Sequence, residues 1–383
     1  MRALFVVQGE GRGHMTQALA LSEGLEARGH AVCAALVGRG NGRSIPAFFS
    51  EGIEAPVHTF VSPGFAYENG AVRLGRTLRE GARKSWLYAH HLQTLDRQIT
   101  AYQPDVVVGF YEGMVGLHRL AFSSSVPTVC IGHQYMFGHP AYRFAPGQRL
   151  GRAALRAYTR LTSVGAARRL ALSFYPAEDL PERHLRVVPP LLRRAVLDLD
   201  GDTDDGSLLV YLLNRDRAEG LEAWHRRHRE VQVHCFWSGE ARQPHPNLRF
   251  HPLCGTRFLE RMARARGVVC TAGFESVSEA LWLGKPVCMV PTPGHLEQRT
   301  NALDAQRLGA GIWQPDFDLD AFLRYLERHP ASAQAETTQA FRSWVRSGEA
   351  AVVREIESAV RERTVAQPVW SPVAVGSRAR AAT

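Results

Sequence analysis

Short apolar runs alternate with helical segments along most of this chain, and that alternation limits the fold more than any other feature. A repeated strand–helix order places the strands parallel to one another, with helices covering both faces of the sheet. The pattern occurs in each half of the chain and predicts an α/β fold. The predicted strands are residues 2–7, 31–37, 104–110, 126–131 and 171–175, then 207–213, 232–236, 248–250, 267–270 and 286–290.

A stretch rich in proline and acidic residues separates the two halves and predicts a linker. At 383 residues the chain is long enough for two domains with full cores. The predicted segments are a first domain at 1–175, a linker at 176–206, a second domain at 207–340, a C-terminal helix at 341–365 and a disordered tail at 366–383.

The most informative motif follows the apolar run 267–270, where Gly273 leads into a helix. The free N–H groups at a helix start bind phosphate. Glu279 falls two turns into the same helix, where its carboxylate can accept hydrogen bonds from the vicinal hydroxyls of a sugar. The pairing favours a nucleotide sugar, although an ordinary strand–turn–helix unit would also account for the glycine and the apolar spacing.

A glycine-rich loop after the first strand brings His14 to the start of a helix. Gly9, Gly11 and Gly13 alternate, unlike the Gly-x-Gly-x-x-Gly of dinucleotide-binding folds, and the next strand does not end in an acidic residue. Open α/β sheets bind ligands at the carboxyl ends of their strands, and imidazole suits a general base near neutral pH. His14 is therefore a candidate base, with helix capping or a bond to a backbone carbonyl as the alternative.

Three further polar residues follow predicted strands. Glu112 is expected either to orient His14 or to neutralise nearby arginines, and both roles stay open. His133 comes after the strand 126–131 and is a second catalytic candidate. Asn214 follows the strand 207–213 and offers an amide to a diphosphate.

The Asp-x-Asp pairs of the acidic run 198–205 resemble a metal-binding motif, but they lie in a polar linker instead of directly after a strand. We interpret them as solvated turns and expect no bound metal.

A net charge of +9 is compatible with nucleic acid, an anionic membrane surface or an anionic substrate. Much of the charge lies in segments 73–102 and 149–169, where arginines alternate with leucines and aromatic residues at helical spacing. Such a helix has either a solvated cationic face or a surface for an anionic bilayer or a lipid-linked acceptor. Nucleic acid is not expected as a partner.

Cysteine usage and the first residues predict a cytoplasmic protein. The six cysteines form no CxxC pair and fall mainly in apolar runs, as expected for buried thiols in a reducing compartment. The first strand leads directly into the glycine loop without the pattern of a signal peptide, and no run has the length of a membrane span.

The segment from Thr271 to Asn301 resembles the donor-binding signature of GT-B glycosyltransferases. In that signature a small-residue turn leads into a helix with a glutamate, then a Gly-x-Pro, then an acidic-Gln pair before Asn-Ala. The glycine loop ending in Gly13-His14 resembles the first loop of the same superfamily, in particular a bacterial and archaeal branch. Residues 104–134 resemble the peptidoglycan N-acetylglucosaminyltransferases that act on a lipid-linked muramoyl-peptide.

The resemblance implies a GT-B fold, with two Rossmann-like domains facing across a cleft and a last helix that returns to the first domain. It implies that the turn binds the diphosphate, that Glu279 binds the ribose and that the acidic-Gln pair binds the donor sugar. A loop in the second domain would bind the nucleobase. The implied donor-binding residues are Gly11, Gly13, Leu253, Phe258, Thr271, Gly273, Phe274, Glu275, Ser276, Glu279, Glu297 and Gln298.

The chain departs from the pattern at several positions. Many relatives carry His at Thr271 and Asn at Glu275, and a carboxylate beside a diphosphate must point away or meet a cation. Most relatives have a proline shortly after the loop histidine, where this chain has Met15-Thr16-Gln17. His133 stands where the peptidoglycan enzymes have a glutamate.

The implied function is transfer of a hexose from a UDP-sugar to a hydroxyl of a lipid-linked or small hydrophobic acceptor, with inversion and with no cofactor besides the donor. Two alternatives stay open: a hydrolysing UDP-sugar 2-epimerase of the same fold, and a nucleotide-sugar-binding protein without catalysis.

Overall fold

The computed structural model describes residues 1–39, 45–63, 67–68, 71–72, 74–212, 216–315, 317–329 and 334–366. Within these residues the chain forms two seven-stranded sheets with helices on both faces, which confirms the predicted α/β class with two sheets facing across a cleft. Apolar side chains pack on both faces of the first sheet, as its parallel strands covered by helices require. Phe5 and Val7 pack in a cluster that continues into the second half, whereas Leu4 and Val6 face the opposite side of the first sheet.

The described part of the first half contains nine strands and six α-helices. The strands are β1 (Arg2–Gln8), β2 (Ala31–Arg39), β3 (Val57–Val61), β4 (Tyr67–Glu68), β5 (Ala71–Val72), β6 (Val106–Phe110), β7 (Thr128–Gly132), β8 (Arg168–Leu172) and β9 (Leu185–Val188). The helices are α1 (Gly13–Glu26), α2 (Ala47–Gly52), α3 (Leu74–Arg83), α4 (Ser85–Tyr102), α5 (Gly113–Ala121) and α6 (Arg149–Leu161), with 3-10 helices at His133–Gly138 and Pro181–Arg183. The main sheet has the order β3-β2-β1-β6-β7-β8-β9 and is parallel throughout, while β4 and β5 form a separate antiparallel pair.

The second half repeats the architecture. Its strands are β10 (Leu208–Leu212), β11 (Val233–Trp237), β12 (Arg242–His245), β13 (Leu248–Pro252), β14 (Gly267–Cys270), β15 (Val287–Met289) and β16 (Gly311–Trp313). Its helices are α7 (Arg194–Leu197), α8 (Asp216–His225), α9 (Gly255–Arg264), α10 (Phe274–Trp282), α11 (Leu296–Leu308), α12 (Leu319–Arg328) and α13 (Ala335–Ala366). The sheet order is β12-β13-β11-β10-β14-β15-β16; among these strands β12 runs antiparallel to its neighbour and the other pairs are parallel.

The boundary between the halves differs from the prediction. The strand expected at 171–175 is β8 at 168–172, and a further strand of the first sheet, β9, lies inside the predicted linker 176–206. The prolines at positions 189 and 190 follow β9 directly, so the proline content of the region concealed a four-residue apolar strand. A proline-rich stretch therefore contained the edge of the first sheet.

The long helix α13 connects the two halves. Near its start Arg342 donates to the carbonyl of Trp282 at 2.7 Å, which lies in the second half. Further along, the Trp344 indole donates to the carbonyl of Ser173 at 3.0 Å, and Glu357 pairs with His30 at 2.9 Å, both in the first half. The helix thus returns across the first sheet and limits how the halves can move.

Candidate functional site

A cavity of about 600 Å³ lies between the two halves, at the carboxyl ends of strands from both sheets. Gln8 at the end of β1 and Tyr111 after β6 line it from the first half. Cys270 and Thr271 at the end of β14 line it from the second half. Open α/β sheets bind their ligands at this edge, so the fold itself marks the cavity as the candidate site.

The glycine loop forms one wall of the cavity. Gly11 has a φ of +84°, a backbone conformation that residues with a side chain rarely adopt. This conformation allows the loop to turn into α1. Gly13 is the first residue of α1, and a Cβ there would lie 3.3 Å from Cγ of Glu275. Both glycines line the cavity, and Gly13 permits the second half to approach closely.

His14 lies at the start of α1 and contacts two side-chain amides. Its Nδ1 is 3.3 Å from Oε1 of Gln17, and its Nε2 is 3.4 Å from Nε2 of Gln134. The ring stacks on Tyr111 with centroids 5.7 Å apart. Arg12 holds the N-cap position of α1 without a side-chain cap bond, and His14 lies inside the helix with its ring against the two glutamines, so His14 does not cap the helix as the alternative interpretation held.

Burial lowers the pKa of His14 to about 4, against a weaker opposing effect of the hydrogen bond with Gln17. The imidazole is therefore neutral at pH 7 and has one nitrogen able to accept a proton. This protonation state is the one that a general base requires.

Glu112 has neither of its two predicted partners. It is the N-cap of α5, where its carboxylate accepts from the backbone N–H of Met114 at 3.1 Å and from the hydroxyl of Ser62. Burial raises the pKa of Glu112 to about 7. Among the described residues its hydrogen bonds go to these groups and not to His14 or an arginine, because the backbone at the end of β6 directs the side chain toward α5.

His133 is buried between the halves, with 1% of its surface exposed. Its Nδ1 donates to the carbonyl of Leu172 at 2.8 Å, and its ring stacks on Phe274 with centroids 4.1 Å apart. Phe174 packs on the same phenylalanine at 4.5 Å. The ring forms part of an aromatic contact between the two halves, and His133 also lines the cavity. Its catalytic role stays a prediction.

The first turn of α10 faces the cavity. Gly273 is its N-cap, with an extended backbone and no side-chain cap, and Ala272 before it has a φ of +60°. Gly273, Phe274, Glu275 and Ser276 all line the cavity, as does Thr271. An uncapped helix start has backbone N–H groups and the positive end of the helix dipole available for an anion.

Glu275 in this first turn points toward the first half. Its Oε1 accepts from Nε2 of Gln17 at 2.6 Å, and its Oε2 is buried without a partner among the described residues. Burial raises the pKa of Glu275 to about 8. The conflict expected between this carboxylate and a diphosphate is thus reduced in a way the sequence did not indicate, since the group is largely uncharged at pH 7.

Glu279, one turn further along α10, forms an ion pair with Arg193 at 2.9 Å. Burial raises the pKa of Glu279, and the arginine opposes that shift. Arg193 comes from the segment between β9 and α7, lines the cavity, and keeps its Nε buried without a partner among the described residues. Sequence reasoning missed Arg193 because it lies in the predicted linker; its position directly after an apolar run was the available signal.

The acidic-Gln pair lies at the start of α11. Glu297 accepts from Nε2 of Gln134 at 3.0 Å, and Oε1 of Gln298 accepts from the backbone N–H of Thr292 at 2.8 Å. Both side chains line the cavity, with one carboxylate oxygen of Glu297 and the amide nitrogen of Gln298 outside these bonds.

An apolar wall completes the cavity beside α9. Leu253 and Phe258 line it, and Phe258 packs against Tyr211 and Phe236 with centroids 5.2 and 5.4 Å apart. Such a wall suits a planar nucleobase. The predicted contact Asn214 lies outside the described residues.

A buried carboxyl group joins the halves outside the cavity and should make stability depend on pH. Asp304 on α11 is 2% exposed; its Oδ1 accepts from the Tyr175 hydroxyl at 2.9 Å, and its Oδ2 has no partner among the described residues. Burial raises the pKa of Asp304 from 3.8 to about 6, opposed by Tyr175 and Arg307. The folded state therefore holds this proton more tightly than the unfolded state does.

We expect protonated Asp304 to contribute to the free energy of unfolding. This contribution should be fully present below about pH 4 and should be lost as the pH rises through 6, where the buried group ionises. Asp304→Asn keeps an acceptor for Tyr175 but cannot ionise. Urea unfolding should show the variant more stable than the wild type by up to about 3 kcal/mol above pH 7, and equally stable near pH 4. A constant difference across this range would contradict the assignment.

Comparison with known proteins agrees with this geometry. Residues 1–330 match the family model described as glycosyl transferase family 1. The chain is 27% identical over 273 residues to the UDP-N-acetylglucosamine--N-acetylmuramyl-(pentapeptide) pyrophosphoryl-undecaprenol N-acetylglucosamine transferase of Salinibacter ruber, covering 62% of this chain and 72% of the relative.

Solved structures are similar in fold. The glycotransferase of kitacinnamycin matches with a TM-score of 0.62 and 17% identity, covering 94% of this chain and 98% of the other. The Arabidopsis thaliana enzyme UGT89C1 in complex with quercetin matches with a TM-score of 0.60 and 16% identity, covering 94% and 99%. At this level of identity the similarity concerns the fold, and both proteins share the two-sheet architecture.

Proposed function

The chain belongs to glycosyl transferase family 1 and is a GT-B glycosyltransferase, and we propose that it moves a hexose from a UDP-sugar to a hydroxyl of a lipid-linked or small hydrophobic acceptor. One observation carries the proposal most directly. Neutral His14 and the uncapped first turn of α10 line the same cavity, with Glu279 and Arg193 beside that turn. A base and an anion site in one cavity are what single-displacement sugar transfer needs.

The donor would lie along the second half. The apolar wall at Leu253 and Phe258 would receive the uracil, Glu279 the ribose hydroxyls, and the first turn of α10 the diphosphate. Glu297 and Gln298, at the start of α11 and lining the cavity, would contact the hexose. The Salinibacter ruber relative is named for a UDP-sugar donor and a lipid-linked acceptor, which supports both choices.

The transfer would proceed by attack of the acceptor oxygen on the anomeric carbon. The hydroxyl proton passes to Nε2 of His14, the new C–O bond forms, and the bond from the anomeric carbon to the phosphate oxygen breaks with its electron pair on UDP. Backbone N–H groups of α10 and the guanidinium of Arg193 stabilise the charge that develops on the diphosphate. A single displacement inverts the anomeric carbon.

The function is tested by incubating the protein with sugar-labelled UDP-hexoses, with and without a bacterial lipid extract. Movement of the label into the organic phase supports transfer to a lipid acceptor. Release of free sugar with label exchanged at an adjacent position indicates a hydrolysing epimerase instead. Tight UDP-sugar binding with no turnover on any acceptor indicates a nucleotide-sugar-binding protein.

A membrane-facing surface would explain the basic helices, and we propose that the protein is cytoplasmic and binds an anionic bilayer through them. Three helices of the first half each carry a large apolar side chain that is exposed to solvent. The exposed fractions are 71% for Trp86 on α4, 64% for Leu120 on α5 and 76% for Leu150 on α6. Helix α5 packs against both α4 and α6. α6 carries four arginines and no acidic residue. Its Leu155 and Tyr158 line the cavity, so a lipid held at this surface lies close to His14.

None of the helices in the described part of the chain has the length and hydropathy of a membrane-spanning segment. Surface binding is therefore the form of membrane association we test. Trp86→Ser combined with Leu150→Ser should weaken sedimentation with vesicles containing phosphatidylglycerol by roughly tenfold or more, because two apolar side chains no longer enter the interface. Pure phosphatidylcholine vesicles should bind the wild type weakly. Equal binding of the wild type and the double variant to anionic vesicles would contradict the proposal.

A further inference from the structure

Two glutamines contact the two ring nitrogens of His14, one on each side. Oε1 of Gln17, on α1, is 3.3 Å from Nδ1. Nε2 of Gln134, in the 3-10 helix after β7, is 3.4 Å from Nε2 of the ring. Both glutamines belong to the first half, as the histidine does, and both line the cavity.

Each of these amides is oriented by a glutamate from the second half. Nε2 of Gln17 donates to Oε1 of Glu275 at 2.6 Å, and Nε2 of Gln134 donates to Oε1 of Glu297 at 3.0 Å. A carboxyl group keeps an acceptor oxygen whether or not it is protonated, so the NH₂ end of each amide faces its glutamate. Gln17 is left with its oxygen toward His14, whereas Gln134 presents its NH₂ group.

These orientations restrict the proton on the imidazole. An amide oxygen only accepts hydrogen bonds, so Nδ1 of His14, which faces the oxygen of Gln17, must carry hydrogen. An amide nitrogen only donates, so Nε2 of His14, which faces the nitrogen of Gln134, must offer its lone pair. Both contacts therefore select the same tautomer, with hydrogen on Nδ1 and the lone pair on Nε2. The second contact is long for a hydrogen bond, so an entering hydroxyl can replace it at low cost.

One of these pairs joins segments that are far apart in the chain. Gln17 and Glu275 are 258 residues apart, and the structure joins them at 2.6 Å. Glu275 lies in the first turn of α10, so this hydrogen bond connects the helix of the second half with the glutamine beside the histidine.

We propose that Gln17 and Gln134 are positioning residues that hold His14 as its Nδ1–H tautomer, and that Glu275 and Glu297 orient them only while the two halves are closed. The inference rests on the proposed function for the role of His14 as base. It adds that the donor half sets the proton position on the base. Opening of the cleft breaks both contacts with the glutamates and releases the tautomer.

The tautomer can be measured without turnover. Nitrogen NMR of the protein labelled with ¹⁵N-histidine, with the His14 signals assigned by loss in His14→Ala, should show a protonated Nδ1 and an unprotonated Nε2. Gln17→Met removes the acceptor at similar volume and should transfer part of the population to the Nε2–H form. A wild-type Nε2–H tautomer, or a spectrum unchanged by Gln17→Met, would overturn the proposal.

A swapped pair separates orientation from packing. Gln17→Glu combined with Glu275→Gln places a carboxylate beside Nδ1 and an amide donor opposite it, so the Nδ1–H tautomer should return. Ser22→Ala is the matched control, because in the described residues the hydroxyl of this buried serine on α1 donates within its own helix, to the carbonyl of Leu19. The control should leave the His14 signals as in the wild type, and failure of the swap to restore them would show that Gln17 acts through packing alone.

Kinetics then test the consequence for transfer. Gln17→Met should lower kcat by about 3- to 10-fold, the effect of one lost hydrogen bond, with little change in the KM for the donor. A tautomer shift in a protein that transfers no sugar would contradict the proposed function and leave this proposal standing. A shift with unchanged kcat in an active enzyme would show that the tautomer is not part of the reaction, contrary to the proposal.

Discussion

Replacing His14 by alanine should lower the turnover number for sugar transfer by about 10²- to 10⁴-fold while leaving UDP binding intact, since general-base catalysis contributes on that scale. The reason is positional. His14 lies at the carboxyl edge of the first sheet and contacts Gln17 and Gln134, whereas the expected diphosphate and ribose contacts belong to the second half. Isothermal titration with UDP and steady-state transfer assays measure the two effects separately.

The matched control is His329→Ala, which removes an exposed histidine bonded to the carbonyl of Tyr325, on the last helical turn of α12. It should transfer sugar like the wild type. The pH profile adds a second measurement, because burial lowers the pKa of His14 from 6.5 to about 4. The value of kcat/KM should stay constant as the pH falls to about 5 and should decrease as the pH falls through 4, where His14 becomes protonated. Transfer that survives in His14→Ala would assign the base to another group.

Replacing Glu279 by alanine should weaken UDP binding by about 1.5–3 kcal/mol, roughly 10- to 150-fold in Kd, because the variant lacks the buried carboxylate that we propose bonds to the ribose hydroxyls. The ion pair with Arg193 at 2.9 Å holds the carboxylate in place on α10. Its loss also leaves the arginine without its buried partner, which adds to the cost. Calorimetry with UDP measures the change.

A comparison of two ligands separates ribose recognition from damage to the site. Wild-type protein should bind UDP more tightly than 2′-deoxy-UDP, and Glu279→Ala should bind the two alike. Glu260→Ala is the control, because Glu260 is an exposed glutamate on the neighbouring helix α9. If the variant weakens both ligands equally and keeps the preference for UDP, Glu279 supports the fold of the site and does not contact the ribose.

Much of the fold was predictable because its signals are local. The apolar runs located nearly all long strands, and the glycine loop before His14 and the turn at Gly273 were both predicted as helix starts beside a ligand. The edge strand β9 was missed because four residues between prolines give almost no periodicity. Local pattern thus located these two helix starts more accurately than the boundary between the halves.

The contacts of individual side chains were harder to predict. Glu112 and His133 both follow strands that end at the cavity, yet one caps α5 and the other stacks on Phe274. Strand position brings a residue to the correct edge of a sheet. It does not say which neighbour from another element the side chain will meet.

The amino-acid sequence by itself determined the two largely parallel sheets, the edge at which their strands end, and the helix start that would suit a diphosphate, since periodicity and glycine turns depend on residues close in the chain. Only the tertiary structure decided the partners across the cleft. Glu279 meets Arg193 from 86 positions away, and Gln17 meets Glu275 from 258 positions away, because the docking of the halves brings them together. The same docking buries these groups away from water, and that burial determines which of them carry charge at neutral pH.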